Sequence, residues 1–131
     1  MNAPGGRQKG RKGDDSSPEQ ILGRHLFRRI RRGKDSIVTI DECAHRYAAM
    51  LAAAVVRVDV PRDGVQAVVI VPLADEVQSV AAHARRGQVR LIELGAAESP
   101  REEASAISTD PDVIVTTPQR LIDHIRRENV D

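Results

Sequence analysis

The chain reads as a parallel α/β protein, a sheet covered by helices on both faces, and three observations carry that reading. Among four short runs rich in β-branched residues, those at 67–71 and 113–115 are apolar along their whole length rather than at every second position, as expected of strands buried on both sides. These runs alternate with stretches of helical spacing, the signature of successive strand-helix units. The third observation is size and composition. The 131 residues are 40% hydrophobic, 30% charged and only 2% aromatic, which suits one domain with a core of Val, Ile, Leu and Ala and excludes a wholly disordered or collagen-like chain.

Taken in order, residues 1–17 hold four glycines, a proline and almost nothing apolar, so burial cannot offset chain entropy and a disordered basic tail is expected. The remainder, 18–131, forms the folded unit. Ser17 and Pro18 are a cap and first-turn proline, followed by Ile21, Leu22, Leu26, Phe27 and Ile30 at helical spacing; Gly33 ends this basic helix, and residues 18–34 form its segment. A strand over 37–40 leads into an alanine-rich helix over about 43–56. The sequence then predicts a strand at 67–71, a helix at 75–86, a strand at 89–94, a turn at Gly95, a helix at 99–108, a strand at 113–116 and a helix at 118–127. At least four strands are therefore expected, with right-handed crossovers between them.

Charge is unevenly spread. Residues 1–34 carry ten Lys or Arg against three acids, a balance of +7, whereas residues 35–131 carry ten against sixteen, a balance of −6. A basic arm ahead of an acidic body suits either a phosphate backbone or a solubilising role. The longest apolar run, 48–56, has nine residues, far short of the roughly 20 that cross a bilayer, so no membrane partner is expected. The N-terminus lacks the apolar stretch of a secretory signal and Cys43 is the single cysteine, which points to a reducing cytoplasm.

Ligands of open α/β sheets gather at the carboxyl ends of strands, so the four turns there are the places to look. The first reads Ile40-Asp41-Glu42-Cys43-Ala44-His45-Arg46-Tyr47. It has no glycine to let backbone N–H groups wrap a phosphate, and its acids repel one. Gly33-Lys34 is no substitute, because Asp35 follows where a hydroxyl is required. Cys43 and His45, two residues apart, do not face each other on a helix, so Cys43 reads as a small core residue. The four histidines lack i,i+4 spacing and no CxxC occurs, so no metal is expected. Asp75 and Glu76 read as favourable charges at a helix start. At the fourth turn two hydroxyls, Thr116 and Thr117, precede Pro118 and a new helix with Arg120 in its first turn. That arrangement suits either a phosphate or an ordinary capped helix with Arg120 in solvent.

Together the turns resemble the first RecA-like domain of DEAD-box RNA helicases, over about 32–131. Residues 33–38 look like the lead-in to the family's phosphate-binding strand, and Val71-Pro72-Leu73-Ala74-Asp75-Glu76-Val77-Gln78 resembles its motif Ia. Gly95-Ala96 stands where a Gly-Gly pair belongs, and Thr117-Pro118-Gln119-Arg120-Leu121 is similar to motif Ib, family pattern TPGRL. The resemblance implies a three-layer RecA-like fold, ATP and magnesium as cofactors, and RNA contacts at Pro72, Gly95, Thr117, Pro118 and Arg120.

The departures qualify that implication. The family's AxTGSGKT falls on 40–47, which puts Arg46 at the lysine position, Tyr47 at the magnesium-binding hydroxyl, and Asp41 and Glu42 in the turn. No cofactor, no catalytic residue and no ATPase activity are therefore expected of this chain. Ala74 stands where motif Ia has an arginine, and Ala96 replaces the second glycine. Residue 131 falls just before the strand that would carry the DEAD tetrad, so a partial domain is expected. Two functions remain open. One is weak, sequence-blind binding of single-stranded RNA or other nucleic acid through Thr117, Arg120 and the helix arginines Arg28, Arg31 and Arg32. The other is a protein-interaction module on a pseudo-helicase scaffold.

Overall fold

A computed structural model describes residues 18–37, 51–55, 64–85, 87–95 and 98–130, with backbone alone at 18–20. The basic tail, the expected strand over 38–40 and the turn bearing Asp41, Glu42, Arg46 and Tyr47 lie outside the described residues, as do Ala96 and most of the alanine-rich stretch. Of that stretch, residues 51–55 are helical. The remaining elements, in chain order, are α1 (Pro18–Arg31), β1 (Ala67–Ile70), α2 (Ala74–Ala84), β2 (Leu91–Leu94), α3 (Pro100–Ile107), β3 (Val113–Thr116) and α4 (Pro118–Arg126).

Three strands are seen among the described residues, all parallel, in the order β1-β3-β2. The helices that return the chain across the sheet make the strands parallel, and β3, the last of the described strands in sequence, lies between the other two. Its residues Val113, Ile114, Val115 and Thr116 are all buried, as a continuous apolar run between two layers must be. Val113 and Val115 pack with Leu91, Val71, Ala52 and the buried side of α2, formed by Val77, Val80, Ala81 and Ala84. On the opposite face Ile114 packs with Leu94 of β2 and Ile107 of α3. Each fully buried Val or Ile contributes roughly 1.5–3 kcal/mol, so β3 is the main apolar anchor.

β1 departs from the expectation of two covered faces. Ala67 and Val69 pack on the α2 side, but Val68 and Ile70, one pleat over, are 41% and 53% exposed. Period two reasserts itself here because, among the described residues, the α3 layer reaches Ile114 and Leu94 but not β1.

The beginnings of the strands are tied by Asp112, a buried residue. Its carboxylate accepts the Arg90 N–H at 2.9 Å, its carbonyl accepts Gln66 and Ala67 N–H at 2.8 and 3.2 Å, and its own N–H donates to the Arg90 carbonyl at 2.8 Å. One residue thus joins the starts of β1 and β2 through β3.

Helix ends follow local chemistry. Gly33, at φ +64°, closes α1 with the paired Gly33-to-Ile30 and Lys34-to-Arg29 backbone bonds of a Schellman motif. Asp75 and Glu76 occupy the first turn of α2, as their charge requires. α3 opens with Pro100 after a capping box in which Ser99 Oγ accepts the Glu102 N–H at 3.3 Å and the Glu102 carboxylate accepts the Ser99 N–H at 2.8 Å. The Ser99 N–H, and then its hydroxyl, hold the Glu102 carboxyl below the usual carboxylate range.

A depressed folded-state value stabilises the fold above the unfolded-state value, and that stabilisation disappears as pH falls through the folded one. The melting temperature of the native chain should therefore exceed that of Glu102→Gln by the most at neutral pH. Thermal melts followed by circular dichroism across the acid range should show that gap closing below about pH 4, near the ordinary glutamate value.

Candidate nucleic-acid interface

The register decides where the strands end. Ile70, Thr116 and Leu94 stand side by side in the ladder, so the turns that follow them open on one edge of the sheet. The Val71 N–H donates to the Thr116 carbonyl at 2.8 Å and extends that alignment one residue further. Pro72 lies exposed beyond it, Gly95 and Thr117 are half-buried, and Pro118 is exposed. Motif segments far apart in the sequence therefore meet at the carboxyl edge, the usual ligand side of an open parallel sheet.

Gly95 and the start of α4 are in direct contact. Gly95 has φ +98°, a backbone conformation that L side chains rarely adopt. A Cβ placed there would lie 3.4 Å from Thr117 Oγ1 and 3.5 Å from Arg120 Cβ, so the turn and the helix start fit together closely. Thr117 is the N-cap of α4: its hydroxyl accepts the Arg120 N–H at 3.4 Å, and Pro118 fills the first turn, which needs no N–H there.

Beneath this contact lies a carboxylate that sequence patterning does not single out. Glu103, in α3, is fully buried. Its Oε1 accepts the Gly95 N–H at 2.9 Å and pairs with Arg120 Nε at 3.3 Å; its Oε2 meets His124 Nε2 at 2.8 Å. Arg120 and His124 are one turn apart on α4 and so share a face. His124 is itself fully buried, and its Nδ1 lies 3.0 Å from Asn129 Nδ2. An amide nitrogen only donates, so Nδ1 accepts and the proton of the neutral ring sits on Nε2, aimed at Glu103. Among the described residues no buried side-chain polar atom lacks a partner.

Arg120 is thus neither loose in solvent nor wholly consumed. Its side chain is 27% exposed and its single ion pair among the described residues uses Nε, which leaves the two Nη groups of the fork. His124 is the packed histidine its surroundings suggest, and His83 is exposed, its Nδ1 2.8 Å from the Ser79 carbonyl. No group of three or more potential metal ligands occurs among the described residues, and no helix among them is long and apolar enough to cross a membrane.

Arg28, Arg31 and Arg32 are exposed at the carboxyl end of α1 and take no part in the contacts around Glu103. The Arg31 guanidinium sits over the Phe27 ring, 5.6 Å from its centroid, and neighbouring Arg29 holds Ser36 Oγ at 2.6 Å and the Asp35 carbonyl at 3.0 Å. The sequence signal for Glu103 was faint: it stands four residues before buried Ile107, at a position of the α3 face where an apolar residue would be expected.

A parallel sheet whose turns gather on its carboxyl edge defines an open α/β domain with that edge as its ligand side. Residues 24–131 match the DEAD/DEAH box helicase family, and the chain belongs to that family. It is 27% identical over 106 residues to the DEAD-box ATP-dependent RNA helicase CshA of Bacillus cereus, and equally to the proteins of that name from Bacillus thuringiensis and Bacillus anthracis. In each case the match covers 76% of this chain and 20% of the relative, so the chain spans about a fifth of the length of the curated relatives it matches.

Replacing Gly95 by Ala forces a side chain into the left-handed region against Thr117 and Arg120. This should destabilise the domain by about 1–3 kcal/mol, measured by urea denaturation; an unchanged midpoint would contradict the turn described here.

Proposed function

We propose that this chain is a helicase-type domain of the cytoplasm that binds single-stranded RNA weakly and without regard to base sequence, and that it does not hydrolyse ATP by itself. The observation that carries the proposal is the meeting of Gly95, Thr117 and Arg120 at the carboxyl edge of the sheet in a member of the DEAD/DEAH box family. A hydroxyl, the Gln119 N–H in the first turn of α4 and a guanidinium whose Nη groups take no ion pair among the described residues together suit a backbone phosphate. Pro72 and Pro118 shape the turns beside it. Arg28, Arg31 and Arg32, with Arg126 and Arg127, supply diffuse positive potential. With 2% aromatic residues there is little on which bases can stack, so attraction is mainly electrostatic.

The ATP side of the proposal rests on sequence. Cys43 and His45 stand where the glycines would be, Arg46 where the lysine and Tyr47 where the hydroxyl would cradle a triphosphate and its magnesium, and Asp41 and Glu42 add negative charge to the same turn. Arg46 keeps a charge, but a planar fork in a turn without glycine does not rebuild the cradle.

A second reading, a protein-docking module on a pseudo-helicase scaffold, is favoured by the exposed Val68, Ile70 and Leu73 and by the −6 balance of residues 35–131. Filter binding of oligouridylate over a salt series separates the two. RNA binding should be measurable at low salt and fall steeply as salt rises, and Arg120→Ala should reduce the logarithmic salt slope by about 0.7, one single-strand phosphate contact. No retention at low salt would leave the docking reading. Magnesium-ATP should leave the melting temperature unchanged, since a ligand that binds the folded state would raise it.

A further inference from the structure

We propose that Glu103 is a positioning residue for phosphate recognition: its buried carboxylate ion-pairs with Arg120 on the Nε side and accepts the N–H of the Gly95 turn, so that the outer edge of the guanidinium is presented to a single phosphate at the carboxyl edge of the sheet. This inference rests on the nucleic-acid reading above.

A fully buried carboxylate carries a desolvation penalty of several kcal/mol, and an aliphatic side chain facing β2 from α3 would avoid it. What Glu103 supplies that an aliphatic residue cannot is two directed acceptor contacts, to the turn after β2 and to the second turn of α4, and an ion pair to the first turn of α4. Oε1 faces Gly95 and Arg120 while Oε2 meets His124, whose ring is oriented from behind by Asn129. Holding Arg120 at Nε has a particular consequence. The guanidinium is rigid and planar, so fixing one edge orients the two Nη groups on the other. A side chain already immobilised also loses less entropy when a phosphate arrives. The same carboxylate offsets the arginine's charge, which keeps the contact weak and makes it depend on geometry more than on attraction at a distance.

The test compares oligouridylate binding by the full chain and by Glu103→Ala, Glu103→Gln and Glu103→Asp, each at a temperature where circular dichroism shows the variant folded. Glu103→Ala should lower the logarithmic salt slope by about 0.7, the same loss as Arg120→Ala, and combining the two should lose nothing more. Glu103→Gln, whose amide keeps an acceptor for the Gly95 N–H but neither the charge paired with Arg120 nor a second acceptor for the His124 Nε2–H, should show the same loss of slope as Glu103→Ala. If Glu103→Ala does not fold, Glu103→Asp keeps the buried charge but withdraws its oxygens by one methylene, and should show the same loss of slope. In nitrogen-15 spectra the Arg120 Nε–H resonance should shift in Glu103→Ala or Glu103→Asp together with the Gly95 amide. A purely structural role predicts native slopes in every folded variant, and a purely electrostatic one predicts tighter binding by both Glu103→Ala and Glu103→Gln; either result overturns the proposal. Failure of the native chain to bind oligouridylate at low salt overturns the nucleic-acid reading and the positioning role with it. Native binding with an undiminished slope in Glu103→Ala and Glu103→Asp overturns the positioning role alone.

Discussion

Ile70, Thr116 and Leu94 end three parallel strands at one level, and from that alignment the arrangement of the candidate site follows. Parallel pairing requires each strand to be entered from the same side, so every helix must cross back over the sheet before the next strand begins. The turns that leave the strands are thereby gathered on one edge. Residues as distant in sequence as Pro72, Gly95 and Thr117 become neighbours without any local signal linking them. The opposite edge is tied by Asp112, whose carboxylate and backbone join the starts of all three described strands.

Within the collected turns the buried Glu103 joins the pieces. It connects α3 to the glycine turn through one oxygen and to α4 through both. A buried carboxylate is a poor choice for stability alone, since its attraction to its partners is largely offset by the loss of water. Its value is directional: the Arg120 guanidinium and the His124 ring can each be met in few orientations, and both are spaced one helical turn apart so that one carboxyl group reaches them.

The sheet is unevenly covered. On the α2 side Ala67 and Val69 join Val113 and Val115 in one apolar layer. On the α3 side Ile114 and Leu94 are enclosed, while Val68 and Ile70 of β1 remain exposed. A strand with one covered face shows alternating burial even when its sequence is apolar throughout, which is why Ala67–Ile70 and Val113–Thr116 read alike as sequence yet behave differently as structure.

What the sequence determined by itself was local. β-branched runs, helical spacing and capping chemistry set the described strands and helices within a residue or two, because each depends on neighbours three or four positions away. The family resemblance was equally legible, and the match of residues 24–131 to the DEAD/DEAH box helicase family bears it out. Strand order, the exposed face of β1 and the hub at Glu103 were decided only in the tertiary structure. Glu102 and Glu103 are adjacent acids of one type, but Glu102 caps a helix at the surface and Glu103 is buried against Arg120 and His124. The physical reason is that the partners of Glu103 lie eight to twenty-one residues away, and only the parallel crossovers bring them within reach of its carboxylate.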